Sequence, residues 1–346
     1  MEPKQPLLMH INNSVFLRNG NLVMIDRRLL PRKINEVVAS TFEEVAHAIE
    51  DMVVQGAGDI AITAGYGLYL AACQAERTLS GNLEEARSYI LSAQQRLMET
   101  RPTGRHLSSL LEKMADKLEW DKDGWANQLL NEVNLAIDKQ QRCSESTGKW
   151  ASEILENGDV ILTHCFPGAA LLYMLAFARD QGKRIEVIST ETRPYLQGAR
   201  LTAWSVSEMD IPVTLITDNM GAYCMDQGMV NKVFTAADRI AMDGTVANKV
   251  GTLQLALSAR YHQITLYILG YGGPDRHCPT GDEIPIEIRN PEEVLCINGV
   301  NITGEKVKGF YPAFDLTPPR VINEIITDRG SFVPYNIRHY WSLSRS

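Results

Sequence analysis

The sequence predicts an α/β protein: a mostly parallel, doubly wound sheet in its second part, preceded by a smaller, mainly helical region with a short β-hairpin. Three observations carry this reading. From about residue 150 onwards, short apolar runs alternate with segments of helical period, the pattern of right-handed βαβ crossovers. Ahead of that point, apolar residues recur mainly at helical spacing. At the start, two apolar runs flank Asn19-Gly20, a strong short-range hairpin signal. A chain of 346 residues exceeds what one domain usually holds. The change of texture at 140–150 divides it into residues 1–145 and 146–346.

In chain order, the hairpin covers residues 15–25, VFLRNGNLVMI. The period changes at TFEEVAHAIEDMVV (41–54), where Thr41 and Glu44 have the spacing of a capping box. Helical patterns follow at 59–75, 83–97, 107–116 and 124–141. Then the alternation begins. Strands are expected at 159–165, 184–190, 213–218, 232–238 and 264–270, and helices at 169–181, 198–209, 220–227 and 249–261. No internal repeat or low-complexity tract interrupts the series.

Composition excludes several classes. Hydrophobic residues make up 45% and charged residues 22%, which is globular rather than disordered. The formal net charge is -8 with no basic block, so nucleic acid is not an expected partner, although a local basic pocket for one phosphate is compatible with it. Six cysteines stand at 73, 143, 165, 224, 278 and 296 without a CxxC pair, the wrong pattern for a disulfide scaffold or a zinc knuckle. The opening MEPKQPLLMHINNS lacks an apolar signal core, and later apolar stretches break at glycines or charges short of a membrane span. A soluble, reduced, cytoplasmic protein is expected, with no membrane partner and no metal.

Ligands of an open parallel sheet bind beyond the carboxyl ends of its strands. Those ends carry Thr163-His164-Cys165, Glu191-Thr192-Arg193, Asp218-Asn219 and Asp238-Arg239, so four consecutive strands deliver polar or reactive groups to one edge. Cys165 precedes the turn Phe166-Pro167-Gly168 into a helix, whose dipole would favour a thiolate. It also reads as a cysteine packed like a small hydrophobe. Asp238 ends an apolar strand, a setting that raises a carboxyl pKa and keeps an acid protonated; a helix-capping aspartate is the alternative. His164, next to Cys165 on a strand, is expected to face the other way and be structural. The run DGTVANKVGT places Asn248, Lys249 and two glycines around the start of the 249–261 helix, either a phosphate cradle or a solvated loop. It is neither a P-loop nor a dinucleotide fingerprint. Gln55-Gly56-Ala57-Gly58 and Arg101-Pro102-Thr103-Gly104 are further loops, where Arg101 either clamps an anion or lies on the surface.

Several of these segments resemble the methylthioribose-1-phosphate isomerase family. ETRPYLQGARLTAWSVSEMDIPVTLITDNM (191–220) closely matches its ETRP–LQGARLTAWEL–ITDNM signature. DRIAMDGTVANKVGT (238–252) is similar to DRIAANGDVANKIGT, and ILTHCFPGAA (161–170) to LTHCNAG. RPTG at 101–104 and DLTPPRVINEIITDRG at 315–330 complete the series, while 53–71 matches RGAPAIGVAAAYG more loosely. The resemblance covers nearly the whole chain in family order.

It implies an isomerase converting S-methyl-5-thioribose 1-phosphate to S-methyl-5-thioribulose 1-phosphate in methionine salvage, with no cofactor. It also implies a small N-terminal domain, a Rossmann-like C-terminal domain and a homodimer. The superfamily includes ribose-1,5-bisphosphate isomerases and regulatory subunits of translation initiation factor 2B. The family's catalytic cysteine and aspartate fall on Cys165 and Asp238. Its substrate contacts fall on Gln55, Gly56, Ala57, Arg101, Gln197, Asn248 and Lys249. In the implied mechanism a protonated Asp238 assists ring opening. Cys165 as thiolate then moves the C2 proton, or holds the geometry for a hydride shift. There are departures. Gln55 stands where the family has arginine, Gly58-Asp59 replaces Pro-Ala, Asp243-Gly244-Thr245 replaces Asn-Gly-Asp, and Phe166-Pro167 replaces Asn-Ala. The segment 269–289 lacks the family's usual sequence. The altered Gln55 and Phe166 regions leave open another 5-substituted pentose 1-phosphate, such as 5-deoxyribose 1-phosphate. A non-catalytic sensor subunit is the other alternative, and retention of Cys165 and Asp238 argues against it.

Overall fold

The computed structural model describes residues 5–79, 81–101, 104–122, 124–297 and 299–343. The chain forms two compact units. One is His10–Gln141; the other takes Arg142 onwards together with the short N-terminal stretch ending at Met9.

In the first unit, β1 (Val15–Arg18) and β2 (Asn21–Ile25) form the expected antiparallel hairpin. Asn19 and Gly20 both have positive φ, 54° and 77°, as a two-residue turn matched to strand twist requires. A third strand, β3 (Glu36–Ala39), pairs with β2. α1 (Phe42–Glu50) starts at the Thr41/Glu44 capping box, with both reciprocal bonds present. α2 (Ala57–Thr78), α3 (Leu83–Glu99) and α4 (Arg105–Asp116) follow, and α5 (Trp125–Ile154) continues well past residue 141, where the reading ended it. Their apolar faces meet in one core that includes Leu68, Ile90, Leu97, Leu107 and Val133. Each such side chain contributes about 1.5–3 kcal/mol by leaving water.

The second unit carries the parallel sheet. β4 (Val160–Thr163), α6 (Ala169–Asp180) and β5 (Glu186–Thr190) come first. A π-helical turn (Gly198–Ala203) then runs into α7 (Trp204–Ser207), followed by β6 (Val213–Ile216), α8 (Gly221–Asp226) and β7 (Lys232–Ala236). Next are β8 (Arg239–Ile240), β9 (Val246–Lys249), α9 (Thr252–Tyr261) and β10 (Thr265–Tyr271). The remaining elements are α10 (Glu292–Leu295), the hairpin β11 (Cys296–Ile297) and β12 (Val300–Asn301), then β13 (Phe314–Thr317), β14 (Glu324–Thr327) and β15 (Gly330–Phe332).

The sheet order is β15-β14-β10-β7-β4-β5-β6, parallel throughout except for β15. From β6 to β14 this is the Rossmann-type doubly wound order, and its direction reverses between β4 and β7. Successive residues face opposite layers. Ile161, Val187, Phe234 and Leu269 pack with α6, whereas Leu162, Ile188, Val233 and Ile268 pack with α9. Burial on both faces explains the near-continuous apolar runs of these strands. One expectation is corrected here. Residues 249–261 are not one helix: residues 246–249 form β9, between β8 and β13, and the helix starts at Thr252. The ladder partner β13 lies more than sixty residues downstream, beyond the reach of local pattern reading.

Candidate active site

The chain leaves β4 at Thr163 and turns sharply at Cys165, whose φ is +63°. A side chain other than glycine there costs roughly 1–3 kcal/mol and persists only when its surroundings hold it. They do so with three hydrogen bonds. The Cys165 N–H donates to Thr192 Oγ1 at 2.8 Å, its carbonyl accepts from Thr202 Oγ1 at 2.6 Å, and its thiol donates to Gln197 Oε1 at 3.3 Å. Thr192 is itself left-handed at φ 62°, fixed by Asp218, whose two carboxylate oxygens each accept a 2.8 Å bond, one from the Thr192 N–H and one from the Arg193 N–H. The ends of β4, β5 and β6 are thereby tied into one frame.

His164 has both ring nitrogens engaged. Nε2 must donate to the Val250 carbonyl at 2.9 Å, so Nδ1 accepts from Thr190 Oγ1 at 2.6 Å. Burial lowers its pKa, which leaves the ring neutral. Gly251 (φ +107°) passes so near this ring that a Cβ would sit 3.0 Å from it.

Asp238 follows β7, on the other side of the switch point. Its N–H donates to the Ala247 carbonyl at 2.9 Å, which starts the β8–β9 ladder, and its side chain is half-buried. Asn248 and Lys249 lie on β9. Asn248 Nδ2 donates to Thr252 Oγ1 at 2.9 Å, and Lys249 Nζ to the Tyr311 hydroxyl at 3.2 Å. Asp315, opposite Asn248 in the ladder, accepts from the N–H groups of Gly251 (2.7 Å) and Leu253 (3.1 Å) at the start of α9. Burial pushes its carboxyl up to about 6.

Three of the charged groups at these strand ends act on the sulfur of Cys165. Burial pushes the thiol up to about 11; Lys249 pulls it down, while Asp238 and Asp218 push it further up. The expectation of a thiolate is corrected on this point. Desolvation is the largest influence on the thiol, and the turn Phe166–Gly168 stands between Cys165 and α6. Tyr271 braces that turn: its hydroxyl donates to the Pro167 carbonyl and accepts from the Ala170 N–H at 3.4 Å. A side chain at Gly168 would collide with the Tyr271 hydroxyl. The altered 269–289 segment and the altered residues after Cys165 are thus in contact.

The remaining expected substrate residues lie in the helical unit. Gln55 is fully buried and donates from Nε2 to the Met52 carbonyl at 3.2 Å. Arg101 Nη1 donates to Met52 Sδ at 3.0 Å. Gly56, at φ +100°, is the N-cap of α2, and Ala57 is its first residue. Gln55, Gly56, Ala57 and Arg101 therefore gather around one loop. Pro102 and Thr103 of the 101–104 segment lie outside the described residues.

Comparison with known proteins gives this arrangement a context. The model of the initiation factor 2 subunit family matches residues 53–334. A methylthioribose-1-phosphate isomerase of Acetivibrio thermocellus is 37% identical over 337 residues, 93% of this chain and 98% of the relative. That of Desulfitobacterium hafniense is 38% identical over 343 residues, 94% and 97%. Among solved structures, 5-methylthioribose 1-phosphate isomerase from Pyrococcus horikoshii superposes with a TM-score of 0.83 at 34% identity, covering 95% of this chain and 94% of that one. This chain belongs to the methylthioribose-1-phosphate isomerases of the initiation factor 2 subunit family. A structure described as translation initiation factor eIF-2B, subunit delta, from A. fulgidus is also 34% identical, with a TM-score of 0.77 and 93% and 96% coverage. The fold is therefore common to both branches of the family, and the curated relatives carry the distinction.

Sequence reading reached Cys165, Asp238 and Gln197 but missed residues that support them. Thr192 and Asp218 stood among the strand-end residues without a role, because positive φ and a two-pronged carboxylate contact have no local signature. Tyr271, Tyr311 and Asp315 were assigned no role, since each reaches the site by way of a later strand or loop. Among the described residues, no helix is long and apolar enough to cross a membrane.

Proposed function

We propose that the chain converts S-methyl-5-thioribose 1-phosphate to S-methyl-5-thioribulose 1-phosphate, a step of methionine salvage, with Asp238 and Cys165 at the reacting carbons. The observation that carries it is the convergence of a half-buried thiol, a carboxyl and an ammonium at the switch point, in a chain whose curated relatives bear that name. The phosphate on O1 blocks opening by the simple hemiacetal route. Asp238 as an acid donates a proton to the ring oxygen while the bond between C1 and that oxygen breaks, its electron pair going to oxygen. The hydrogen on C2 moves to C1 with its electron pair, and the O2–H proton returns to Asp238 as C2 becomes the ketone. Protons and electrons balance, and Asp238 is reset.

A thiol held near pKa 11 and donating to Gln197 is a poor base, which favours this hydride route over proton transfer by Cys165. Turnover in deuterium oxide decides between them: the C1 hydrogen of the ketose should come from C2 of the substrate. Solvent deuterium at C1 would transfer the step to Cys165.

Phe166, apolar and packed partly buried against the α6 layer, suits an apolar 5-substituent such as methylthio. We therefore take kcat/KM for methylthioribose 1-phosphate to exceed that for 5-deoxyribose 1-phosphate; the reverse ranking would reassign the sugar within the same chemistry. Six free cysteines suit a reducing cytoplasm. The family resemblance supports a homodimer, which light scattering would test.

A further inference from the structure

We propose that the Tyr311 hydroxyl binds substrate, donating a hydrogen bond to the phosphate group beside the Lys249 ammonium. The sugar's identity rests on the isomerase reading above; recognition of the anion does not.

Tyr311 is 2% exposed, and its oxygen lies 3.2 Å from Lys249 Nζ. An ammonium has donors only, so the phenol oxygen is the acceptor and its own hydrogen must point elsewhere. Among the described residues no acceptor takes it. A buried hydroxyl hydrogen without an acceptor is costly, and the cost disappears when a ligand supplies one. The pair sits beside the reacting thiol. The Val250 carbonyl accepts from His164, the neighbour of Cys165, and the Val250 N–H donates to Ala313, two residues from Tyr311. Burial raises the Tyr311 phenol's pKa so that it stays a donor, and an ionised Cys165 would raise it further.

The ring is also fixed in place. Tyr195 meets it edge-on at 6.4 Å and is itself held by Arg289, which donates to the Tyr195 hydroxyl at 2.6 Å. The Lys249 ammonium lies over the rings of Tyr311 and Phe314, at 5.6 and 5.1 Å. Two donors side by side, one charged, call for an acceptor with several lone pairs and negative charge. A phosphate meets that demand; a neutral sugar hydroxyl does not supply the charge.

The test is Tyr311→Phe in the full chain, which keeps the ring and removes only the O–H. Affinity for inorganic phosphate is measured by calorimetry, and KM and kcat with the sugar phosphate. We expect phosphate binding and KM to weaken by about tenfold or more, the worth of a hydrogen bond to a charged group, with an unchanged melting temperature. Unchanged phosphate affinity in the variant would overturn the assignment, as would failure of the wild type to bind phosphate or any sugar 1-phosphate. A loss seen with the sugar phosphate alone would move the contact to the sugar and overturn it too. If the wild type binds phosphate but turns over no pentose 1-phosphate, the isomerase reading fails while the Tyr311 result still stands or falls on binding.

Discussion

The two units each bury a polar network, and the networks differ in kind. In the helical unit, Arg27 is 1% exposed and its guanidinium is matched on several sides: Asp59 at 2.6 Å, Ser14 Oγ at 3.0 Å, and the Gln55 carbonyl. Asp59 takes a further 2.6 Å bond from Gln140. Around Cys165 the charges pull in opposite directions on a half-buried thiol, with Lys249 opposed by Asp238 and Asp218. The first network is electrostatically closed and the second is not. A buried group whose charge state is contested, in a cleft, is the stronger functional signal. A buried ion pair matched in charge is a structural part.

The comparison also makes sense of three departures from the family pattern. Gly58 has no side chain, and any Cβ there would strike Gln140; Asp59 supplies the carboxylate that both Gln140 and Arg27 use. Gln55 holds the loop through its backbone carbonyl and its amide rather than through a charge. The altered residues at 55–59 form one linked arrangement.

The largest effect should come from the contested network. Asp238→Asn is expected to lower kcat by roughly a thousandfold, within the usual range for a positioned proton-handling group, and Cys165→Ala by about a hundredfold as the loss of a group that holds the geometry, while melting temperatures move little. A variant keeping a tenth of wild-type turnover would remove that residue from the chemistry.

The closed network should fail in the opposite way. Asp59→Ala leaves Arg27 buried without its carboxylate and is expected to cost about 3–5 kcal/mol in urea unfolding. Replacing both partners, Arg27→Met with Asp59→Leu, should recover much of that. A loss below about 1 kcal/mol for Asp59→Ala would mean that water reaches the pair.

How much of this was legible follows the same division. Cys165 and Asp238 could be read because a parallel sheet places its strand ends on one edge, and the alternating pattern fixed those ends to within two residues. β9, β13 and β14 could not, because short ladders between distant segments carry no local period. Lys249 was therefore expected at the start of a helix and stands in a strand instead. The Cys165 thiolate was inferred from a helix dipole alone, and the burial that raises the thiol's pKa is a property of the assembled edge.

A smaller effect lies at the seam of that late ladder. Burial raises the Asp315 carboxyl from its ordinary 3.8 to about 6, so the fold favours the neutral acid. Its contribution is complete below about pH 3.8, where the unfolded chain is also protonated, and is lost as pH rises through about 6. Asp315→Asn keeps an acceptor for the Gly251 and Leu253 N–H groups without ionising. Relative to wild type it should gain stability between pH 4 and 7, by at most roughly 3 kcal/mol at 1.36 kcal/mol per unit. A constant difference across that range would mean that the carboxylate is already ionised and acts as a charged cap.

The smallest effect tests the most legible feature. Thr41 Oγ1 accepts from the Glu44 N–H at 3.2 Å, and Glu44 returns a bond to the Thr41 N–H at 3.1 Å. Glu44 also takes the Ser40 N–H at 2.7 Å, and these bonds hold its carboxyl below the ordinary range. Thr41→Ala should cost about 1 kcal/mol, the usual worth of a lost N-cap, and leave kcat unchanged. Glu44→Gln keeps the acceptor and should cost less. If the alanine variant lowered kcat instead, the helical unit would be acting on the chemistry through α1, and its network would not be structural alone.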